Sequence, residues 1–365
     1  MGVNFSDPIK KTIKINVMKT TFKTTLIVIL AITFMTAQAV SAVEKTKKYH
    51  ESWAASGVET LNISNKFGEV KFKNEGGSEI TIDVVVTVEA SSESKANELL
   101  NQIDVDFSKN GSTVMAETSI ENNFRSNREF RIDYVINVPV NKNLIVSNKY
   151  GNTVVNKLNA NGDFDIQYGN ILANELIAPT NGKMNLNLAY GKGNIETTGD
   201  INIEISYSNI TLGTINDLQL ESKYSNIEFE KGRVITIDSK YDKFNFGKVK
   251  SVTAITKYSN LRIDYLATSL KIESGYGGIK VNEIAPDFES VSITNSYGQI
   301  LLGLNNASYS VDASCNYCGI SYPEERFKGN KTKENTSFEL KGKVGLAGGG
   351  TVMIRSRYGE IKLDE

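Results

Sequence analysis

A short motif recurs through most of this 365-residue chain and leaves little freedom for the fold. It consists of an aromatic residue, a small residue, one variable residue and an apolar residue. The first copy is Phe67-Gly68-Glu69-Val70. Later copies start at Tyr150, Tyr168, Tyr190, Tyr207, Tyr224, Tyr241, Tyr258, Tyr276, Tyr297, Tyr317 and Tyr358. From Tyr150 the intervals are 18, 22, 17, 17, 17, 17, 18, 21, 20 and 41 residues. A period of this size marks a stacked repeat architecture. The last interval is about two periods, which predicts one degenerate or looped-out copy.

Alternation inside the unit identifies the secondary structure. Six residues before the aromatic stand Leu61, Leu144, Ile201, Leu218, Ile235 and their equivalents; four before stand Ile63, Val146, Ile203, Leu220 and Ile237. Five after come Phe72, Val155, Leu212, Phe229 and Phe246. Period two over such short runs means strands with one buried face, whereas a helix needs apolar residues at three and four. Each period therefore reads as strand, Tyr-Gly or Tyr-Ser turn, strand, and a second turn. Hairpins would satisfy the pattern too, but they do not require the same residue type at the same register in every unit. Parallel stacking does, because equivalent side chains then lie about 4.8 Å apart. The expected fold is all-β, a parallel β-solenoid of 17–22 residues per coil.

The parity places the aromatic on the inward side, as a corner ladder. Gly after it is expected because Gly tolerates positive φ. Two residues before the aromatic runs an inward polar column of Ser222, Ser239, Thr256, Ser274, Asn295 and Ser356, which can hydrogen-bond along the stack. Tyr and Asn ladders admit two readings, a packed corner and a sugar-binding stripe, and the packed corner is the plainer one.

Residues 67–150 lack a clean repeat. Ser64-Asn65-Lys66-Phe67-Gly68 matches Ser147-Asn148-Lys149-Tyr150-Gly151, so the solenoid is expected to start near Leu61 and to contain an excursion. Within it, Ile80–Val88 reads as a strand, Ser91–Gln102 as a short helix, and Ile103–Phe107, Thr113–Glu117 and Phe130–Val138 as further strands. This α+β piece is suited to cover the open end of the stack, which solenoids require. The expected division is 1–42 for an N-terminal extension and signal, 43–145 for the first coil and its cap, and 146–365 for the repeats. Pro323–Asn335 reads as an exposed polar loop and Gly345–Gly350 as a turn.

The N-terminus carries a targeting pattern. From Met18, the expected start, a short basic region leads into an apolar run, Leu26–Phe34, and then small residues. That is a secretory signal peptide, with cleavage after Ala39 or Ala42. The apolar run is short for a membrane span, although an uncleaved anchor is the alternative. Export places the mature chain in a disulfide-permissive compartment.

Composition removes several function classes. Lys+Arg 41 against Asp+Glu 42 gives no basic excess for nucleic acid. A single His argues against a His-centred triad or a multi-His zinc site. Cys315-Asn-Tyr-Cys318 is a CxxC without the strand–CxxC–helix context of a redox motif. Its readings are a local disulfide, two packing thiols, or a redox or metal role. Asp163, Asp165 and Asp200 fall on different repeats and do not suggest a paired-carboxylate cleft.

Two outward rows stand out. One residue before the aromatic come Lys223, Lys240 and Lys257; three before come Glu204, Glu221 and Asp238. They make a basic stripe beside an acidic one. Charge-pair decoration of a solvated sheet is the plainer reading, and a docking face for a charged polymer the functional one.

The early Asn-Lys-Phe-Gly-Glu-Val unit, the Val138-Pro139-Val140-Asn-Lys-Asn-Leu144-Ile-Val146 stretch and the Tyr-Gly/Ser-Asn-Ile repeats resemble the bacterial putative-adhesin family of domains of unknown function. The resemblance runs from about Leu61 to Leu363. It implies a β-solenoid in the envelope of mostly Gram-negative bacteria, in the periplasm or on the outer surface, with no family catalytic residues and no cofactor. The functional expectation is a non-enzymatic envelope protein that binds an unknown protein or glycan ligand, without nucleic acid and without a membrane span after signal cleavage. A periplasmic scaffold or envelope-stress partner is the alternative, and a polysaccharide-active enzyme a more distant one.

Overall fold

A computed structural model describes residues 42–304, 307–346 and 348–363. The expected signal, apart from Ala42, lies outside them. Strands pair in parallel, one repeat on the next, in the register that the motif sets. Thus Leu218, Ile235 and Val252 are successive partners, as are Leu220, Ile237 and Ala254. Each coil contributes one strand before the Tyr corner and one after it. In the 17-residue coils the second corner is so tight that a single strand, such as Asn226–Lys240, runs through it and belongs to both sides. The expected β-solenoid is the observed fold.

The inward columns fill the slim interior. Leu61, Ile63, Leu220, Ile235, Ile237, Phe229 and Phe246 are all buried, and so are their equivalents in the other coils. Each fully buried side chain of this size stabilises by about 1.5–3 kcal/mol relative to exposure. The polar column two before the corner is also inward. Ser222, Ser239, Thr256, Asn295 and Ser356 are buried, while Ser274 is half-buried. Ser239 Oγ donates to Ser259 Oγ at 3.1 Å and Thr256 Oγ1 to Ser274 Oγ at 2.9 Å, so these hydroxyls are satisfied along the stack.

Chain order and stacking order differ at both ends. The first coil, Thr60–Lys66 and Val70–Lys73, stacks directly on the coil that begins at Asn143. The intervening segment folds back over its other side. Thr113–Ile120 pairs in parallel with Thr60–Lys66, and Phe130–Asn137 with Val70–Lys73. Antiparallel strands Glu79–Ala90 and Val43–Ala54 extend that layer. The helix Glu93–Asn101, capped by Ser92 Oγ, buries Ala96, Leu99 and Leu100 beneath it. The sequence reading did not include the strand Val43–Ala54.

The C-terminal end uses the same device. The last coil, Gly350–Arg357 with Ile361–Lys362, is inserted between the coil at Ser290–Ser296 and the one at Tyr309–Asn316. The long final interval is therefore neither a degenerate nor a merely looped-out copy. It holds a β-hairpin, Phe327–Glu334 and Ser337–Val344, that pairs antiparallel to Tyr309–Asn316 and closes the stack. This corrects the loop expected at Pro323–Asn335. Its polar residues lie on a strand exposed at the sheet edge, where Lys328, Lys331 and Lys333 discourage edge-to-edge pairing. Gly345, Gly348 and Gly349 form the expected turn with positive φ.

Candidate functional site: the tyrosine corner and its charged flanks

The corner differs from its expectation in one respect that matters for function. The aromatic residues stack, but not inside. From Tyr150 to Tyr317 the ladder rings are 41–55% exposed. The cause is the backbone. Phe67 and every ladder Tyr adopt positive φ, between 51° and 65°, which breaks the strand alternation and swings the ring outward. Neighbouring Tyr rings lie 4.6–5.0 Å apart between centroids and within 16° of parallel. At the N-terminal end Phe67, Phe130 and Phe124 close the ladder in tilted and edge contacts. At the other end Tyr358 lies between Tyr297 and Tyr317, following the stacking order.

The small residue after Tyr has a different cause from the expected one. Gly151 and Gly298 do not have positive φ; they sit against the coil before. A Cβ on Gly151 would stand 1.8 Å from the Gly68 carbonyl oxygen, and one on Gly298 1.8 Å from that of Gly277. In the middle coils Ser208, Ser225, Asp242 and Ser259 take this place and are buried. Their side chains accept from the backbone N–H of the coil before. Gly191 donates to Ser208 Oγ at 2.9 Å, Ser225 to Asp242 Oδ1 at 2.7 Å and Asp242 to Ser259 Oγ at 3.0 Å. Asp242 Oδ2 also accepts from Ser222 Oγ at 2.7 Å. Burial pushes the Asp242 carboxyl above its ordinary pKa, against the opposing effect of these bonds.

Polar columns flank the ladder on both sides. Beyond the turn, Asn170 Nδ2 donates to Asn152 Oδ1 and Asn226 Nδ2 to Asn209 Oδ1, both at 2.9 Å. Before the turn runs the cationic column. Lys149 Nζ lies 5.3 Å and 5.7 Å from the ring centroids of Tyr150 and Tyr168. Lys223, Lys240 and Lys257 are register partners in consecutive coils, and so are Glu204, Glu221 and Asp238. All six are exposed. Among the described residues none of the six forms an ion pair. A shallow groove lined by Asn187, Glu204, Glu221, Lys223, Asp238 and Lys240 separates the two stripes.

Other sequence candidates do not converge. Asp165 accepts from Gln167 Nε2 at 3.2 Å, and Asp200 accepts from Asn216. Among the described residues no group of three or more His, Cys, Asp or Glu is placed to hold a metal. Cys315 and Cys318 are bonded to each other, with Cα atoms 5.4 Å apart, and bracket Tyr317 of the ladder. His50 Nδ1 lies 2.7 Å from Asp83 Oδ1 on the exposed face of the N-terminal layer.

What the corner offers chemically is limited by its own stacking. Between the two ends of the ladder both faces of each ring are occupied by neighbouring rings, so a sugar cannot lie flat on them. Each ladder Tyr leaves about half of its surface to water, one per coil, with Asn and Lys side chains flanking the middle of the ladder. This is a line of hydrogen-bond donors and acceptors, and it contains no nucleophile paired with a base.

Among the described residues no helix is long and apolar enough to cross a membrane. Solved structures similar to the chain include a putative adhesin from Parabacteroides distasonis ATCC 8503, 11% identical, covering 70% of this chain and 97% of that one at a TM-score of 0.33. A putative cell adhesion protein from Clostridium sporogenes ATCC 15579 is 11% identical and covers 88% and 99% at a TM-score of 0.20. A putative lipid binding protein from Parabacteroides distasonis ATCC 8503 is 12% identical and covers 70% and 96% at a TM-score of 0.32. No curated protein matches the sequence. The family model for Toastrack DUF4097 matches residues 58–364, which takes in the first coil, the C-terminal hairpin, every ladder tyrosine and the N-terminal layer apart from its strand Val43–Ala54, and the chain therefore belongs to that family.

Proposed function

We propose that the protein is a non-enzymatic, exported component of the cell envelope that presents its solenoid surface for binding, with the tyrosine corner as the contact line. The observation that carries this reading is the exposure of the ladder. A purely structural aromatic spine would be buried, whereas here each ladder Tyr is about half exposed, and from Tyr207 to Tyr258 an Asn or Lys flanks every one of them. Such a line suits a polyhydroxylated chain, whose hydroxyls both donate and accept, so a glycan is the favoured ligand class.

Two measurements test it. The first is binding of the mature chain to an immobilised glycan panel, compared with the variant in which Tyr207, Tyr224, Tyr241 and Tyr258 are all changed to Phe. That variant keeps the stack and removes the hydroxyls. Loss of binding with an unchanged melting temperature is expected; equal binding would remove the corner from the mechanism. The second is protease treatment of intact cells. Digestion while a periplasmic control survives is expected for a surface protein. Protection until the outer membrane is opened would instead favour the periplasmic scaffold reading.

A further inference from the structure

The charged face beside the corner carries an inference that does not rest on the glycan reading, although it engages the same corner. We propose that the face bearing Lys223, Lys240, Lys257 and Glu204, Glu221, Asp238 docks against the same face of a second copy of this chain. The two solenoids would lie side by side and parallel, about a two-fold axis running along the stack between the stripes.

The arrangement of charge motivates this. Like charges placed directly opposite each other on neighbouring strands destabilise a sheet. This face nevertheless stacks Lys on Lys and acid on acid through consecutive coils. Decoration for stability would alternate the signs or pair them within the chain, and no such ion pair forms here. A polyanion is a poor match as well. The stripes are two residues apart, about 7 Å, less than the Debye length of about 8 Å at physiological salt. An approaching polymer therefore feels three positive and three negative charges together. The complement of this face is another stripe pair with the signs exchanged.

Symmetry selects how the chain itself supplies that complement. A two-fold axis along the strands would place Lys on Lys. The axis along the stack exchanges the columns at constant height. Lys223 then meets Glu221 of the second copy, Lys240 meets Asp238, and both pairs repeat reciprocally. One level further along, the acidic column continues as Ile255, which is 52% exposed. It would face the aliphatic stem of Lys257 from the second copy, a contact that covers apolar surface and leaves the ammonium solvated. Polar flanks meet in the same operation. The column Asn202, Gln219 and Thr236 lies on the outer side of the acidic stripe and would face the tyrosine corner. Sheets pack face to face at about 10 Å, a gap that extended Lys and Glu side chains span. Four coils bury only about 400 Å² per copy, below the standard interface, so the dimer is weak and salt-sensitive.

Sedimentation velocity of the mature chain over a concentration series, at low and at high salt, tests the proposal. The wild type should shift to dimer with concentration at low salt and return to monomer at high salt. The triple Lys223→Glu, Lys240→Glu, Lys257→Glu and the triple Glu204→Lys, Glu221→Lys, Asp238→Lys should each be monomeric. Their equimolar mixture should form a heterodimer. Should either triple misfold by circular dichroism, the triples to Gln, at the lysines or at the acids, replace it; each should weaken the dimer about tenfold or more. A wild type that stays monomeric at every concentration overturns the proposal, as does a mixture that stays monomeric. Binding of an acidic polysaccharide by a monomer, lost in the Lys→Glu triple and strengthened in the acid→Lys triple, would reassign the face to a polyanion.

Discussion

At the scale of single residues, the corner balances backbone strain against stacking. A non-Gly residue in the left-handed region costs about 1–2 kcal/mol. An offset aromatic pair contributes about 0.5–1.5 kcal/mol beyond its buried area, and a long ladder has almost one pair per ring. The two effects are of similar size, so Tyr is tolerated at positive φ because every neighbouring coil also holds one. The residue that follows is under a steric constraint instead. We expect Gly151→Ala to destabilise by about 1–3 kcal/mol in a denaturant titration, because its methyl would meet the Gly68 carbonyl. Asp242 is the one carboxylate in this buried column. Its folded pKa is raised by burial, so the folded state holds the proton more tightly than the unfolded chain does. Stability is then greatest below the unfolded carboxyl pKa, falls as pH rises through the folded value and is flat above it. Asp242→Asn should raise the melting temperature at pH 7 and remove this slope; an unchanged pH profile would mean that the carboxyl is not desolvated.

Elements in this fold are stabilised by their neighbours in the stack. A coil has too little interior of its own, and its inward residues are covered only by the coils on either side. The same logic grades the ladder by position. Tyr241 stacks on Tyr224 and Tyr258, each at 4.8 Å, whereas Tyr317 stacks on Tyr358 alone. Tyr241→Ala should therefore lower stability more than Tyr317→Ala, by about 0.5–1.5 kcal/mol for the extra pair, read as the difference between two unfolding curves. Within the strands, Ile237 is 3% exposed in an uninterrupted apolar column. Ile237→Asp would bury a charge with no partner and should prevent folding of the middle coils. A native-like melting curve would place that side chain outside the core.

The whole molecule is a stack closed by insertions. Neither the first nor the last coil of the sequence lies at an end of the solenoid; each is covered by a segment that the chain adds before resuming or completing the stack. This pins both ends of the repeat region within paired sheet instead of leaving them to fray. Truncation after Gly349 tests the arrangement. It removes the coil between Ser290–Ser296 and Tyr309–Asn316, together with the Arg355–Asp312 ion pair at 2.9 Å. The hairpin cap should lose its seat, and amides of residues 309–344 should exchange rapidly while those of residues 201–275 stay protected. Retained protection at the cap would mean that it folds independently of the last coil.

The repeat spacing and period-two alternation determined the strands, their inward columns and their parallel register, because stacking forces equivalent residues into line. The columns read from the sequence at six and four residues before the corner, and at five after it, are the buried ones. Excursion strands and helix were legible in part for the same reason, since alternation is a local signal. Side of the corner was not legible. Parity counting assumes extended backbone throughout, and a positive φ at Tyr resets the count, so a ladder expected inside lies on the surface. Nor did the sequence reveal the threading of the last coil. Tyr309–Asn316 and Gly350–Arg357 have equally strand-like patterns, and either could follow Ser290–Ser296. Only the tertiary structure chooses, because the hairpin needs an edge strand to pair with, and Tyr309–Asn316, from which it continues, supplies that edge once the last coil has taken the place beneath.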